Sequence, residues 1–356
     1  MTRRGTDGFF DDLALMRGYF AHRSPIYARA VELLAELLRD PELAARLDQA
    51  WRERSFPAFF DRPLLLLAVL RARVLAAGPA HPLGPALGDD APQVDALSGA
   101  ALAAELSADA LWTELARRHV QTNDPTRAVA WLWPAWLGGC DRGARPLALV
   151  DVGASAGLNL IADALPAAWR DGAGAPLPVA RAVQTVARLG LDGAPLDVRQ
   201  AEDRAWMRAC IWPGEATRRQ RFDAAVEVVL AGNVPVIERM DASSFTDRIR
   251  ELQRVLAPGT LVLAYQTVFR EYLEAMVRAA YLDGMADWIA SAPKSCALWI
   301  ELEVAPEPTR EHPAALIAHV REGQTLVIGR CSFHPDVIDV DAQAAAALAR
   351  ALTARM

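Results

Sequence analysis

The chain has 356 residues, 53% of them hydrophobic and 23% charged, which supplies a sizeable core and excludes a disordered chain. A formal charge of -6 argues against the basic footprint of a dedicated nucleic-acid binder, and the length favours two packing units over one. Cys140, Cys210, Cys296 and Cys331 form no CxxC pair and the six histidines no HExxH cluster, so neither a disulfide framework nor a protein-bound metal is expected.

Residues 1–145 read as helical. Arg3 and Arg4 are followed by Asp7, Asp11 and Asp12 where a secretory signal needs an apolar run, so a cytoplasmic protein is expected. The best apolar run, Pro63 to Leu70, is stopped by Arg71 and Arg73, far short of the roughly 20 residues that span a bilayer. Ser24-Pro25, Asp40-Pro41 and Asp124-Pro125 are helix starts with a capping residue ahead of proline. The breaker-rich stretch from Gly78 to Gln93 reads as a surface loop. Gln121, Asn123 and Arg127 form a polar group ahead of an apolar helix from Ala128 to Leu137; Asn123 or Asp124 suits its cap, and Arg127 suits a carboxylate or phosphate clamp.

From Pro146 onward, short apolar runs alternate with helical stretches, which predicts βαβ units and a mainly parallel sheet. Strands are predicted near 147–152, 186–191, 234–239, 260–266 and 296–304. Helices are predicted near 157–169, 217–230, 243–256 and 269–291. Residues 314–320 and 325–331 then form an antiparallel hairpin around Arg321-Glu322-Gly323-Gln324, and 341–356 a terminal helix. The expected organisation is an α/β, Rossmann-like domain over 146–356 preceded by an all-helical cap or substrate domain over 1–145, with the oligomeric state left open.

The centre of this pattern is Asp151-Val152-Gly153-Ala154-Ser155-Ala156-Gly157, a buried strand expected to pass through a small-residue turn into a helix. It resembles motif I of class I S-adenosylmethionine-dependent methyltransferases: acidic, apolar, Gly, any, Gly or small, any, Gly. Ser155 stands where that family usually has glycine. The resemblance implies that S-adenosylmethionine is the cofactor, contacted by Asp151, Gly153, Ala154, Ser155, Gly157 and Asn159. It implies further that Asp192, closing the second strand, holds the ribose, and that Asp241-Ala242 reads the adenine. Tyr265 and Gln266, closing the fourth strand, are then placed to position a methyl acceptor, and Gln121, Asn123 and Arg127 to touch it. The acidic net charge favours a small-molecule acceptor over nucleic acid.

The whole chain is also similar to a bacterial family of unknown function, domain-of-unknown-function family 2332. The similarity rests on Gln121-Thr122-Asn123, the GASAGLN loop of Gly153–Asn159 and the Trp212-Pro213 pair, and it names no reaction. Two other readings use the same residues. Gly153-Ala154-Ser155-Ala156-Gly157 fits G-x-S-x-G, with Ser155 as nucleophile and His334 or His319 as base, against which stand Asp151 in the feeding strand and the lack of an upstream HGG-type segment. Alternatively, the glycines serve packing alone, on an inert binding or interaction scaffold.

Overall fold

The computed structural model describes residues 3–122, 124–166 and 169–353, and the chain divides into two compact units. Residues 1–122 and 200–222 make the first, and 123–199 and 223–356 the second. The first opens with a two-residue strand β1 (Arg3–Arg4) and helices α1 (Phe9–Phe20), α2 (Pro25–Leu37) and α3 (Pro41–Trp51). Strand β2 (Ser55–Phe56), antiparallel to β1, is followed by α4 (Asp61–Ala77), α5 (Gly84–Leu87), α6 (Gly99–Ser107) and α7 (Asp109–Arg117). The helix starts fall at the predicted prolines. Asp40 accepts from the N–H of Glu42 at 2.9 Å and of Leu43 at 3.2 Å, satisfying two first-turn donors, whereas Ser24 begins α2 without a side-chain cap bond.

The β1–β2 ribbon is unforeseen by apolar periodicity, because a buried ion pair holds its neighbourhood. Arg62 and Asp12 are both fully buried and share a 3.0 Å bond from Nε, while the Arg62 guanidinium also donates to the carbonyls of Gly5 and Asp7 at 2.9 Å each.

The second unit begins with α8 (Val129–Leu137), β3 (Leu147–Val152), β4 (Arg170–Asp171) and β5 (Thr185–Asp192). The chain then returns to the first unit with α9 (Ala201–Ala209) and the start of α10 (Ala216–Leu230). Back in the second, it forms β6 (Ile237–Arg239), α11 (Phe245–Val255), β7 (Leu261–Thr267), α12 (Ala275–Ser291), β8 (Ala297–Val304), β9 (Ala314–Val320), β10 (Gln324–Cys331), β11 (Val337–Val340) and α13 (Ala342–Thr353). The division thus differs from the boundary expected at 145. The α8 residues share a buried core with Leu147, Leu149, Leu261 and Leu263 of the sheet, and Trp212 packs edge-on to Phe20 at 5.1 Å in the helical unit.

Among the described residues, nine strands form one sheet in the order β4-β11-β10-β9-β8-β7-β3-β5-β6. The five strands from β6 to β8 run parallel, and their spatial order 3-2-1-4-5 is that of a doubly wound Rossmann sheet. β9, β10 and β11 extend it by antiparallel pairing, with β4 parallel to β11. The predicted Rossmann-like architecture and closing hairpin are therefore present, with two short strands added beyond the hairpin, β11 and the edge strand β4. One face of β3 and β7 packs Leu149, Leu263 and Tyr265 against α8 and α13; the other packs Val150, Val262 and Ala264 against α11 and α12. Burial on both faces is why LALVDV is continuously apolar around its one acid. No helix among the described residues is long and apolar enough to cross a membrane.

The helix expected at 157–169 is absent among the described residues, with 167 and 168 lying outside them. Gly153, Ser155 and Gly157 all adopt left-handed backbone, at φ 73°, 53° and 69°, and alternating left-handed residues cannot start an α-helix. Turns fill the segment up to a short 3₁₀ turn at Ala162–Ala164. β6 is likewise shorter than expected, because Pro235 has no N–H to give a ladder.

Candidate functional site

In a doubly wound sheet the ligand crevice opens where successive strands leave the first strand in opposite directions, at the carboxyl ends. Here that point lies between β3 and β7. Asp151 pairs in register with Gly190 of β5 and Tyr265 of β7, and Val152 with Gln266. The Gly153–Asn159 loop and the turn after β7 therefore meet at this end of the sheet.

The loop is closed on itself by its own hydrogen bonds. The N–H groups of Gly153 and Ala154 donate to the Leu191 carbonyl at 2.8 and 3.2 Å, and that of Gly157 to the Ala154 carbonyl at 2.7 Å. The Ser155 N–H donates to Asp192 Oδ2 at 2.7 Å, and Ala194 N–H to Asp192 Oδ1 at the same distance. These four loop donors are thus turned inward, and no helix follows to supply others. The loop lacks the donor set that cradles phosphate at a helix start, and Asp192 acts as the clamp joining it to the end of β5. Burial raises the Asp192 pKa, while those two N–H bonds oppose the rise.

Close packing accounts for two of the glycines. A Cβ at Gly153 would meet the Phe269 ring at 2.5 Å, and one at Gly157 would meet Pro235 at 2.8 Å. Phe269 follows Val268, whose φ of 52° is rare for a β-branched residue. That turn is pinned by Glu303, which accepts from the N–H of Phe269 at 2.8 Å and of Arg270 at 3.1 Å.

Asp151 is 2% exposed, and its Oδ2 has no hydrogen-bond partner among the described residues. Burial pushes its pKa up to about 8; the adjacent Tyr265 hydroxyl opposes the rise and the Asp192 carboxylate adds to it. Tyr265 is itself fully buried, with its hydroxyl against the Asp151 carboxyl, and Asn159 Oδ1 is unpartnered among the described residues. Nearby, Arg188 of β5 is spent on Asp163, 2.6 Å from Nη1 to Oδ1, and cannot neutralise Asp151. The two unpartnered oxygens, Asp151 Oδ2 and Asn159 Oδ1, belong to β3 and to the loop that follows it.

On the opposite face, Gln266 is fully buried in a network of its own. It donates to Glu301 at 3.2 Å and Glu303 at 3.0 Å and accepts from Tyr281 and Trp299. Glu301 also accepts from His319 Nε2 at 2.7 Å and pairs with Arg270 at 3.2 Å. Burial pushes the Glu303 pKa up to about 7. The carboxylates alternate along the otherwise apolar strand ALWIELEV, a period-two signal present in the sequence that matches no motif named above.

The remaining predicted residues lie elsewhere. Asp241 accepts from Ser243 N–H at 2.9 Å as the cap of the 3₁₀ turn that begins at Ala242. Arg127 is buried and donates to the Phe333 carbonyl at 2.9 Å, close to the 2.9 Å pair of His334 with Asp124. Asp124 caps the turn that precedes α8, accepting from Thr126 N–H at 3.0 Å. Gln121 belongs to the helical unit, and Asn123 lies outside the described residues. The four cysteines are free and buried, and burial pushes the thiols of Cys140, Cys210 and Cys331 up to about 11, 12 and 12, which makes them poor nucleophiles.

No curated protein and no solved structure matches this chain. A family model does match, over residues 17–339, a span that includes the GASAGLN loop, both acidic strands and the closing hairpin: the chain belongs to domain-of-unknown-function family 2332, uncharacterized proteins conserved in bacteria.

Proposed function

We propose that the α/β unit binds S-adenosylmethionine at the carboxyl ends of β3 and β7 and transfers its methyl group to a small-molecule acceptor in the cytoplasm. One observation carries the reading: the Asp151 carboxylate is buried, has an unpartnered oxygen and has no cation beside it. A buried acid left this way keeps its proton at neutral pH, and a cation arriving beside it favours the ionised form. The inward-turned loop donors favour a cationic ligand over a phosphate-bearing one.

The residues fit the cofactor's positive end. Asp151 would accept from the ammonium group, Asn159 Oδ1 offers a second acceptor, and each Asp192 oxygen keeps a lone pair for a ribose hydroxyl. Phe269 must leave Gly153 for the methionine chain to lie along the loop. The bound cofactor supplies a methyl group made electrophilic by its sulfonium; the protein's task is to hold an acceptor in line with it and exclude water. The net charge of -6 supports a small acceptor rather than nucleic acid.

Calorimetric titration with S-adenosylmethionine and S-adenosylhomocysteine tests this directly. Saturable binding of both, lost in Asp151→Asn, is expected; no heat at millimolar ligand sinks the proposal. A second reading has one observation in its favour, the strained φ of 53° at Ser155, which a nucleophile elbow also requires. The missing helix weighs against it, and labelling of Ser155 by a fluorophosphonate is the result that would bring it forward.

A further inference from the structure

At the opposite, amino-terminal end of the sheet a cleft of about 370 Å³ lies between the last turns of α13 and the strand ends of β8, β9 and β10. Its lining includes Lys294, Arg321 and Arg350 and, among the described residues, no carboxylate. Among the described residues none of these three cations has an ion-pair or side-chain hydrogen-bond partner, whereas some others in the unit are paired, as Arg188 is with Asp163 and Arg248 with Glu238. Below them Arg145 adds a fourth positive charge. Its guanidinium donates to the carbonyls of Gly259 at 3.1 Å, Leu352 at 3.0 Å and Ser295, and meets no carboxylate among the described residues.

Like charges gathered on one concave surface repel one another, and in a protein of net charge -6 an acidic neighbour would have been easy to supply. A second feature points to the same place. Ser295, next to Lys294, adopts φ 58°, a strained backbone for a residue with a side chain. It is held so by its hydroxyl bond to the Ala351 carbonyl at 2.9 Å and by Arg145. Those bonds fix the loop that brings Lys294 to the cleft.

We propose that this cleft is a binding site for a small phosphorylated anion carrying two or more charges. Its volume falls within the range of small-ligand sites. Two guanidinium groups offer forked donors to phosphate oxygens, and the ammonium a compact third charge. The site is remote from the GASAGLN loop and does not depend on the reading of that loop.

Lys294 is the chain's single lysine, which gives the experiment a unique reporter. The full chain, reductively methylated with ¹³C, carries one lysine signal, to be followed while inorganic pyrophosphate is added at low ionic strength. The expected result is a saturating shift whose midpoint moves to higher ligand concentration as salt is raised. Arg321→Ala and Arg350→Ala should each weaken it at least fivefold while leaving the far-ultraviolet circular dichroism unchanged. A shift matched by sodium chloride at equal ionic strength, or one indifferent to both variants, overturns the site; an equal saturating shift with citrate overturns its assignment to phosphate.

Discussion

At Asp151 the unfolded chain titrates near the ordinary carboxylate value of roughly 4, while the folded chain holds its proton to about pH 8. Below pH 4 both states are protonated and the group is neutral in its effect. As pH rises from there the unfolded state ionises first, so stability falls by about 1.4 kcal/mol per pH unit until the folded carboxyl titrates too. Asp151→Asn abolishes this loss. The variant is therefore expected to gain a few kcal/mol over the parent at pH 8 and little at pH 4, read as the difference in melting temperature across pH. A variant equally stabilised at both would show that the carboxyl is not protonated in the fold. Since the same substitution should abolish cofactor binding, stabilisation with loss of ligand distinguishes a functional acid from a structural one. Buried Glu303 and Asp61, both raised to about 7, slope the same way, so the Asp151→Asn variant should still lose stability from about pH 4 to 7.

At the scale of elements, the loop after β3 and the turn after β7 lock together through Phe269 on Gly153. Gly153→Ala imposes both a left-handed alanine and a ring clash, at a cost of about 2–4 kcal/mol. Phe269→Ala removes the clash but not the backbone strain. In a double-mutant cycle the two should couple by about 1–2 kcal/mol in the compensating sense, measured by denaturant unfolding; additivity would mean that the ring does not rest on the glycine. The β3 strand was legible because every residue from Leu147 to Val152 is buried and apolar but one. The loop's departure from helix was not legible. ASAGLNL has ordinary helical residues at most positions, and what overrides them is tertiary: Asp192, 37 residues away, takes the Ser155 N–H, and Leu191 takes those of Gly153 and Ala154. For the same reason Asp192 could be found from the sequence as an acid at a strand end, while its role as a clamp could not.

For the whole molecule, the sequence marked where strands begin but not that the helical unit is discontinuous. No composition change marks residues 200–222 as belonging with residues 1–122; what assigns them is aromatic packing, with Trp212 against Tyr19, Phe20 and Tyr27 at 6.2, 5.1 and 5.8 Å between ring centres. The chain must complete part of the second unit before the first has all its core. A fragment ending at residue 145 therefore lacks Trp212, and its exposed aromatic surface should bind a hydrophobic dye and melt without cooperativity. Joining residues 1–122 to 200–222 through a flexible linker restores the missing side of that core and should restore a sharp transition. In the full chain, Trp212→Ala should cost about 3 kcal/mol and lower the melting of the helical unit, leaving hydrogen-exchange protection of β3 and β7 unaltered. Equal loss of protection in those strands would show that the two units unfold as one and that their division has no thermodynamic counterpart.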